Sequence, residues 1–157
     1  MGRMYSVSFT AVAVTAQQDF FEITPADDKP CVIHALYLAQ SSDAGDAADE
    51  QLAIRVVRGH STSGSGGSAP TPRPMNPSDT AAGFASEVNN TTIASSGTGV
   101  DLHADAFNVR AGYQMIWTPE MRPQVSQGAG VTLCVRLVTT PADSLTMSGT
   151  LLVEEQG

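Results

Sequence analysis

The sequence predicts an all-β fold: a single-domain, jelly-roll-like β-sandwich of roughly eight strands with one long Gly/Ser/Pro-rich excursion. Three observations predict it. Apolar residues recur mostly with period two, the repeat of a strand with one buried face. Clusters of Gly, Pro, Asp and Asn separate those runs at strand-length intervals. No segment keeps a helical apolar repeat for three turns. The 157 residues are of single-domain size, so residues 1–157 read as one unit.

The elements follow in order. Tyr5, Val7 and Phe9 alternate with Ser6, Ser8 and Thr10, and Ala11-Val12-Ala13-Val14 continues this first, half-buried strand. Phe20-Phe21-Glu22-Ile23 is a short second strand that ends at Thr24-Pro25. Asp27-Asp28-Lys29-Pro30 is a turn, because Asx side chains favour it and Pro stops pairing. Within residues 31–40, strict alternation puts Val32, His34, Leu36 and Leu38 on one face and Ile33, Ala35, Tyr37 and Ala39 on the other. Both faces are mostly apolar, which predicts a central strand or one covered on both sides. The acidic, Ala-rich residues 41–51 read as a helical turn or a long loop, and Leu52 to Arg58 as the next strand.

Residues 59–79 change character. Gly59 to Ser68 is a Gly/Ser tract, and Pro70-Thr71-Pro72-Arg73-Pro74 and Pro77 favour polyproline II. The residues before it hold too few strands to bury a core alone, so the segment is read as an extended loop or arm of one domain rather than a linker. Downstream, Asn89-Asn90 and Ser96-Gly97-Thr98-Gly99 read as turns, and Leu102 to Val109 as an irregular strand. Tyr113 to Thr118 is a strand carrying Trp117, followed by the 118–123 loop and a turn at Gln127-Gly128-Ala129-Gly130. Val131 to Thr139 and Leu145 to Glu154 close the pattern. Long strands and long connections favour a jelly roll over an immunoglobulin-like layout. In the latter a Trp closely follows the first Cys, whereas Trp117 lies far beyond Cys31 and close before Cys134.

Charge narrows the partners. Lys29 and seven Arg stand against ten Asp and six Glu, for a net charge of −8, and 15% of residues are charged. Phosphate neutralisation needs clustered Lys and Arg, so nucleic acid and anionic membranes are poor partners. No run of 18 apolar residues predicts a membrane span. Ser6, Ser8 and Thr10 interrupt the apolar residues after Arg3, so no signal peptide is expected and synthesis is expected in a cytoplasm.

No motif selects a chemistry. Gly64-Ser65-Gly66-Gly67-Ser68-Ala69 fits the glycine spacing of a dinucleotide loop, but Pro70, Pro72 and Pro74 forbid the helix that would meet the pyrophosphate. His34, His60 and His103 are scattered. Asp101, His103 and Asp105 alternate on one predicted strand face, which reads as solvated rather than metal-binding. Asp43, Asp46, Asp49 and Glu50 lack the EF-hand spacing and read as a solvated acidic loop. Asn89-Asn90-Thr91-Thr92 holds two overlapping glycosylation sequons and reads as a turn. Cys31 and Cys134 sit in apolar runs as buried free thiols, with a disulfide between adjacent strands as the alternative. No catalytic residue, cofactor or metal is assigned, and no enzyme is expected.

Five stretches carry a resemblance: Gln40 to Ala47, Ser63 to Pro74, Asn89 to Thr92, His103 to Val109 and Pro141 to Glu155. In these the chain resembles small structural proteins of tailed-bacteriophage virions, of the capsid decoration (cement) type. The resemblance implies a jelly-roll-like protein, a trimer or dimer, seated on the outer capsid surface. Its partners would be the major capsid protein and copies of itself. A tail, collar or adhesion component is the structural alternative, and a carbohydrate-binding sandwich using Trp117 or Tyr113 a more distant one. The contact residues expected are Gly2, Arg3, Met4 and Tyr5 at the N-terminus, and Ser61, Pro70, Pro72, Arg73, Pro74 and Pro77 in the arm. Deleting residues 61–77 is expected to weaken association and leave the fold intact. The charge reading has its own test: in a mobility-shift assay at physiological salt the protein should leave duplex DNA unshifted, and a salt-sensitive shift would contradict it.

Overall fold

The computed structural model describes residues 2–42, 49–126 and 131–157. Eleven strands appear among them: β1 (Arg3–Val14), β2 (Gln18–Thr24), β3 (Cys31–Gln40), β4 (Gln51–Thr62), β5 (Arg73–Pro74), β6 (Ala85–Asn90), β7 (Ser95–Asn108), β8 (Tyr113–Ile116), β9 (Gln124–Val125), β10 (Thr132–Leu137) and β11 (Leu145–Glu155). A single 3-10 turn covers Pro119–Met121.

Eight of these strands form the jelly roll. β1 pairs with β11, β2 with β10, β3 with β8 and β4 with β7, all antiparallel. The chain is thus one long hairpin whose successive pairs fall alternately in two sheets. Lateral pairing of β11 with β3 and of β10 with β4 completes them. The first sheet runs β5-β1-β11-β3-β8, with β9 beside β3, and the second runs β6-β2-β10-β4-β7. This is the all-β sandwich the alternation predicts, with jelly-roll connectivity.

The core lies between the sheets. β11 shows why alternation reads so well: Leu145, Met147, Leu151 and Val153 are buried, and the residues between them are partly exposed. Tyr5, Val7 and Phe9 of β1, Phe21 and Ile23 of β2, and Leu133, Val135 and Leu137 of β10 face them. Gly149 takes an inward position because a Cβ there would collide with Leu38 and Phe9.

Bulges shift the faces from simple alternation, one of them in β1 between Phe9 and Val12. In β3 the register with β11 skips His34, so Cys31 and Ile33 point inward, and then Leu36 and Leu38 do. This corrects the expectation that Val32 and His34 share a face with Leu36. In β2 the register skips Phe20, which lets Phe20 and Phe21 both enter the core. In β7 it skips Leu102, so Asp101 parts from His103 and Asp105. Each bulge inserts one residue opposite a regular partner and re-aims everything beyond it.

The excursion is held down. Residues 59–62 finish β4, and residues 73–74 are β5. Ser65 exchanges backbone hydrogen bonds with Thr92, and Ser68 with Val88. A Cβ on Gly67 would run into the Val88 carbonyl, so the close approach requires glycine there. Arg73 and Pro74 pair with Ser6 and Tyr5. β5 therefore covers part of the β1 edge, and β6 covers the β2 edge of the other sheet. The predicted turns at Asn89-Asn90 and Ser96-Gly97 are absorbed into β6 and β7, with φ of 57° at Asn89 and 59° and 65° at Ser96 and Gly97. The Gly59 carbonyl lies close above Gly97, where the β4–β7 register shifts.

The expected deletion of residues 61–77 now has a different outcome. It removes β5 and both bridges, and it uncovers β1 and β6. The melting temperature of that variant should fall by several degrees, since about 1 kcal/mol moves a domain of this size by roughly 2–8 °C. An unchanged melting temperature would show that the excursion is not part of the folded body.

Candidate functional site

Three polar groupings and the expected contact regions can now be placed. The first grouping is on the outer face of the β2/β10 sheet. Asp19 and Glu22 of β2 lie beside Cys134 and Arg136 of β10 because those pairs are in register. Arg136 donates from Nε to Asp19 Oδ1 at 2.6 Å and from Nη2 to Oδ2 at 3.0 Å. Asp19 is fully buried and Arg136 nearly so. Glu22 Oε2 accepts from Gly64 N and from Asn90 Nδ2, each at 3.0 Å. Ala94 N donates to Asp19 Oδ2 at 2.8 Å, and Arg136 Nη2 donates to the Ala94 carbonyl. Residues 64 and 94, from the two ends of the segment between β4 and β7, therefore roof the cluster. Asp19, Glu22 and Cys134 are the one group of three close metal-ligand types among the described residues. Arg136 already supplies the positive charge that Asp19 needs, so the geometry is that of an internal ion pair with a covered carboxylate beside it.

The second grouping lies where β7 and β8 meet. Tyr113 Oη donates to Asp105 Oδ2 at 3.1 Å, and the hydroxyl lies 3.0 Å from His103 Nε2. Burial, and then the Asp105 charge, push the Tyr113 phenol above its usual range, so the hydroxyl stays protonated. Asp101, split off by the Leu102 bulge, instead pairs with Arg55 at 3.1 Å on the outer face. The three residues expected on one face thus divide between two. Trp117 packs its ring edge-on to His103 in the core, at 5% exposure, which leaves no indole face for stacking on a sugar.

The third grouping is His34 Nε2 and Glu154 Oε2 at 2.6 Å, on the outer face of the β1/β3 sheet. Gly2 sits directly against Glu154. His60 adjoins the first grouping: its Nδ1 lies 3.1 Å from the Ser96 carbonyl and its Nε2 3.4 Å from Arg136 Nη1.

The expected contact residues separate into two sets. The arm and the N-terminal strand come together, because Arg73 pairs with Ser6, Pro74 pairs with Tyr5 and Met75 N donates to the Met4 carbonyl. Arg3 begins that strand and Gly2 precedes it. Tyr5 is no surface residue: it is fully buried, edge-on to Phe84, and its hydroxyl donates to the Thr80 carbonyl. Pro70 accepts from Ser86 Oγ through its carbonyl, and Pro72 is half-buried. Pro77 is exposed, and Ser61 is exposed near the end of β4. Of the acidic residues considered for calcium, Asp43 and Asp46 lie outside the described residues, as does the 127–130 turn. Asp49 pairs with Arg110, and Glu50 accepts from Ala142 N.

Both cysteines are free and buried, and they belong to different sheets. Burial, and then the Glu155 charge, push the Cys31 thiol from 9.0 to about 12. Burial, and then Asp19, do the same for Cys134.

The fold and these groupings define the class: a jelly-roll domain whose polar clusters are internal fastenings. No known protein family, curated protein or solved structure matches the chain.

Two tests follow. Arg136→Met leaves the Asp19 carboxylate buried without its cation and should cost about 3–5 kcal/mol in denaturant unfolding; a cost under about 1 kcal/mol would contradict the pair's burial. Native Cys31 and Cys134 should react slowly with a thiol reagent at pH 8, and both should react at once in guanidinium. The unfolded chain loses its thiol protons above about pH 9 while the folded chain keeps them. Stability should therefore fall as pH rises from about 9 toward 12.

Proposed function

We propose that this chain is a structural virion protein that decorates and stabilises a phage capsid through protein–protein contacts. One observation carries the reading: a jelly-roll body that spends its charge internally and presents small residues outward. Four of the eight basic residues, Lys29, Arg55, Arg110 and Arg136, are tied to carboxylates of the same chain. The long β7 strand is exposed over Ser95 to Asp101, a stretch of Ser, Gly and Thr with one Val and one Asp. Such residues lose little side-chain entropy when covered, so they suit a surface that packs against protein.

The acidic remainder suits the outer face of a shell better than a lining that touches DNA. In this reading the major capsid protein is the large partner, and copies of the chain meet one another as dimers or trimers. The chemistry is binding rather than catalysis, and the protein reaches the shell after synthesis in the host cytoplasm. The jelly roll is used by capsid proteins but also by lectins and cupins, so the resemblance and the surface, and not the fold, select among them.

Quantitative mass spectrometry of purified particles tests the reading. Copies should approach the number of capsid lattice positions, and particles made without the gene should lose their heads at lower temperature. Absence from particles, or a handful of copies, would overturn it, the latter in favour of a tail or collar site.

A further inference from the structure

The two flanks of the sandwich are unequal. On one, β5 and β6 cover the β1 and β2 edges. On the other, β7 ends its sheet with 14 residues and pairs only with β4. Among the described residues, three of the four large apolar ones that stand exposed lie on or beside this open flank: Val100 at 48%, Ile116 at 62% and Met121 at 70%. A free strand edge with apolar neighbours is a surface for strand pairing.

The charges along β7 indicate the occupant. Near Val100, a cleft of about 310 Å³ is lined by Arg58 and Arg122, together with Leu102, Met121 and Glu120. Neither arginine has an ion pair among the described residues. Arg58 donates from Nη1 to the Gln124 carbonyl, and Arg122 Nε is buried without a partner. At the other end, Asn108 lies opposite Gln51, and Asp49 and Glu50 precede it, with Arg110 on Asp49. Val100 and Asn108 are about 26 Å apart along the strand. With Asp101 tied to Arg55 and Asp49 to Arg110, the surroundings of β7 keep an excess of basic charge beside Val100, from Arg58 and Arg122 against Glu120, and the Glu50 carboxylate beside Asn108. Antiparallel pairing of two such strands sets each basic end beside the other's acidic end.

We infer that a second copy of this chain pairs antiparallel along β7, joining two five-stranded sheets into one across a two-fold axis at Ala104. The register follows from the carboxylates. An axis at Asp105 sets that side chain against its own copy, and like charges directly opposite are destabilising. An axis at His103 sets that imidazole against its own copy, one residue from the Leu102 bulge. An axis at Ala104 sets His103 of each copy opposite Asp105 of the other. The outward side chains at the centre, Ala104 and Ala106, are small and exposed, so the two edges can approach. This sharpens the self-association in the reading above, but it concerns the isolated chain and stands or falls without a shell.

The experiment is sedimentation velocity of the purified chain over a concentration series, with cysteine cross-linking. A dimer should dominate at tens of micromolar. Ala104→Cys should form a disulfide-linked dimer in mild oxidant, since the two side chains meet at the axis. Thr98→Cys should not, because those positions lie about 40 Å apart across it. Arg122→Glu should weaken the dimer about tenfold without changing the circular dichroism spectrum, and Arg122→Glu with Asp49→Arg should recover part of the loss. A chain that stays monomeric at about 100 micromolar, or a dimer unaffected by Arg122→Glu and uncross-linked at position 104, would overturn the inference. A trimer would overturn it too, because a two-fold edge pairing closes at two copies.

Discussion

Three buried carboxylates hold the molecule's longest connection in place. Glu22 accepts from Gly64 N, Glu155 from Gly83 N and Phe84 N, and Asp19 from Ala94 N. A carboxylate withdrawn from water must find donors, and backbone N–H groups of a chain segment are the donors these three find. The segment between β4 and β7 is thereby fixed at its start, its middle and its end. Because it is fixed there, β5 lies along β1, β6 lies along β2, and Phe84 closes over Tyr5. Glu155 also faces the chain's lone lysine, Lys29, at 3.7 Å.

This arrangement explains why a composition poor in charge still makes a closed sandwich. The chain has few ion pairs to spend, and the most buried of them, Asp19–Arg136, sits where a sheet face would otherwise lie open. Elsewhere small residues and glycine permit close backbone approach, as at Gly67 over Val88. A surface short of free basic charge and an internally fastened sandwich are therefore two results of one distribution of charge.

Much of the fold was legible in the residues. β1, β3, β10 and β11 follow from alternation, because a one-sided or two-sided apolar strand announces its period locally. The bulges at Phe20, His34 and Leu102 were not legible, since an inserted residue is defined by the partner strand that skips it. Ser96-Gly97 looked like a turn for a related reason: positive φ serves a turn or a bulge equally, and pairing with β4 decides. The polar clusters were the least legible. Local alternation shows Glu22 only as part of a short strand and does not single out Asp19, and what covers them comes from positions 64, 90 and 94, far along the chain. The same separation hid the meeting of Met4 and Tyr5 with residues 73–75, although both stretches stand out independently.

The hairpin connectivity also sets an order in time. Arg3 lies opposite Glu155, and β11 sits between β1 and β3 at the centre of its sheet. A ribosome makes β1 and β3 long before it makes the strand that joins them. Until β11 emerges, those two strands wait with unpaired edges, and contacts so distant in sequence are slow to form. Assembly of the sandwich thus waits for β11, and the nascent chain is most exposed to aggregation while its first strands await that one.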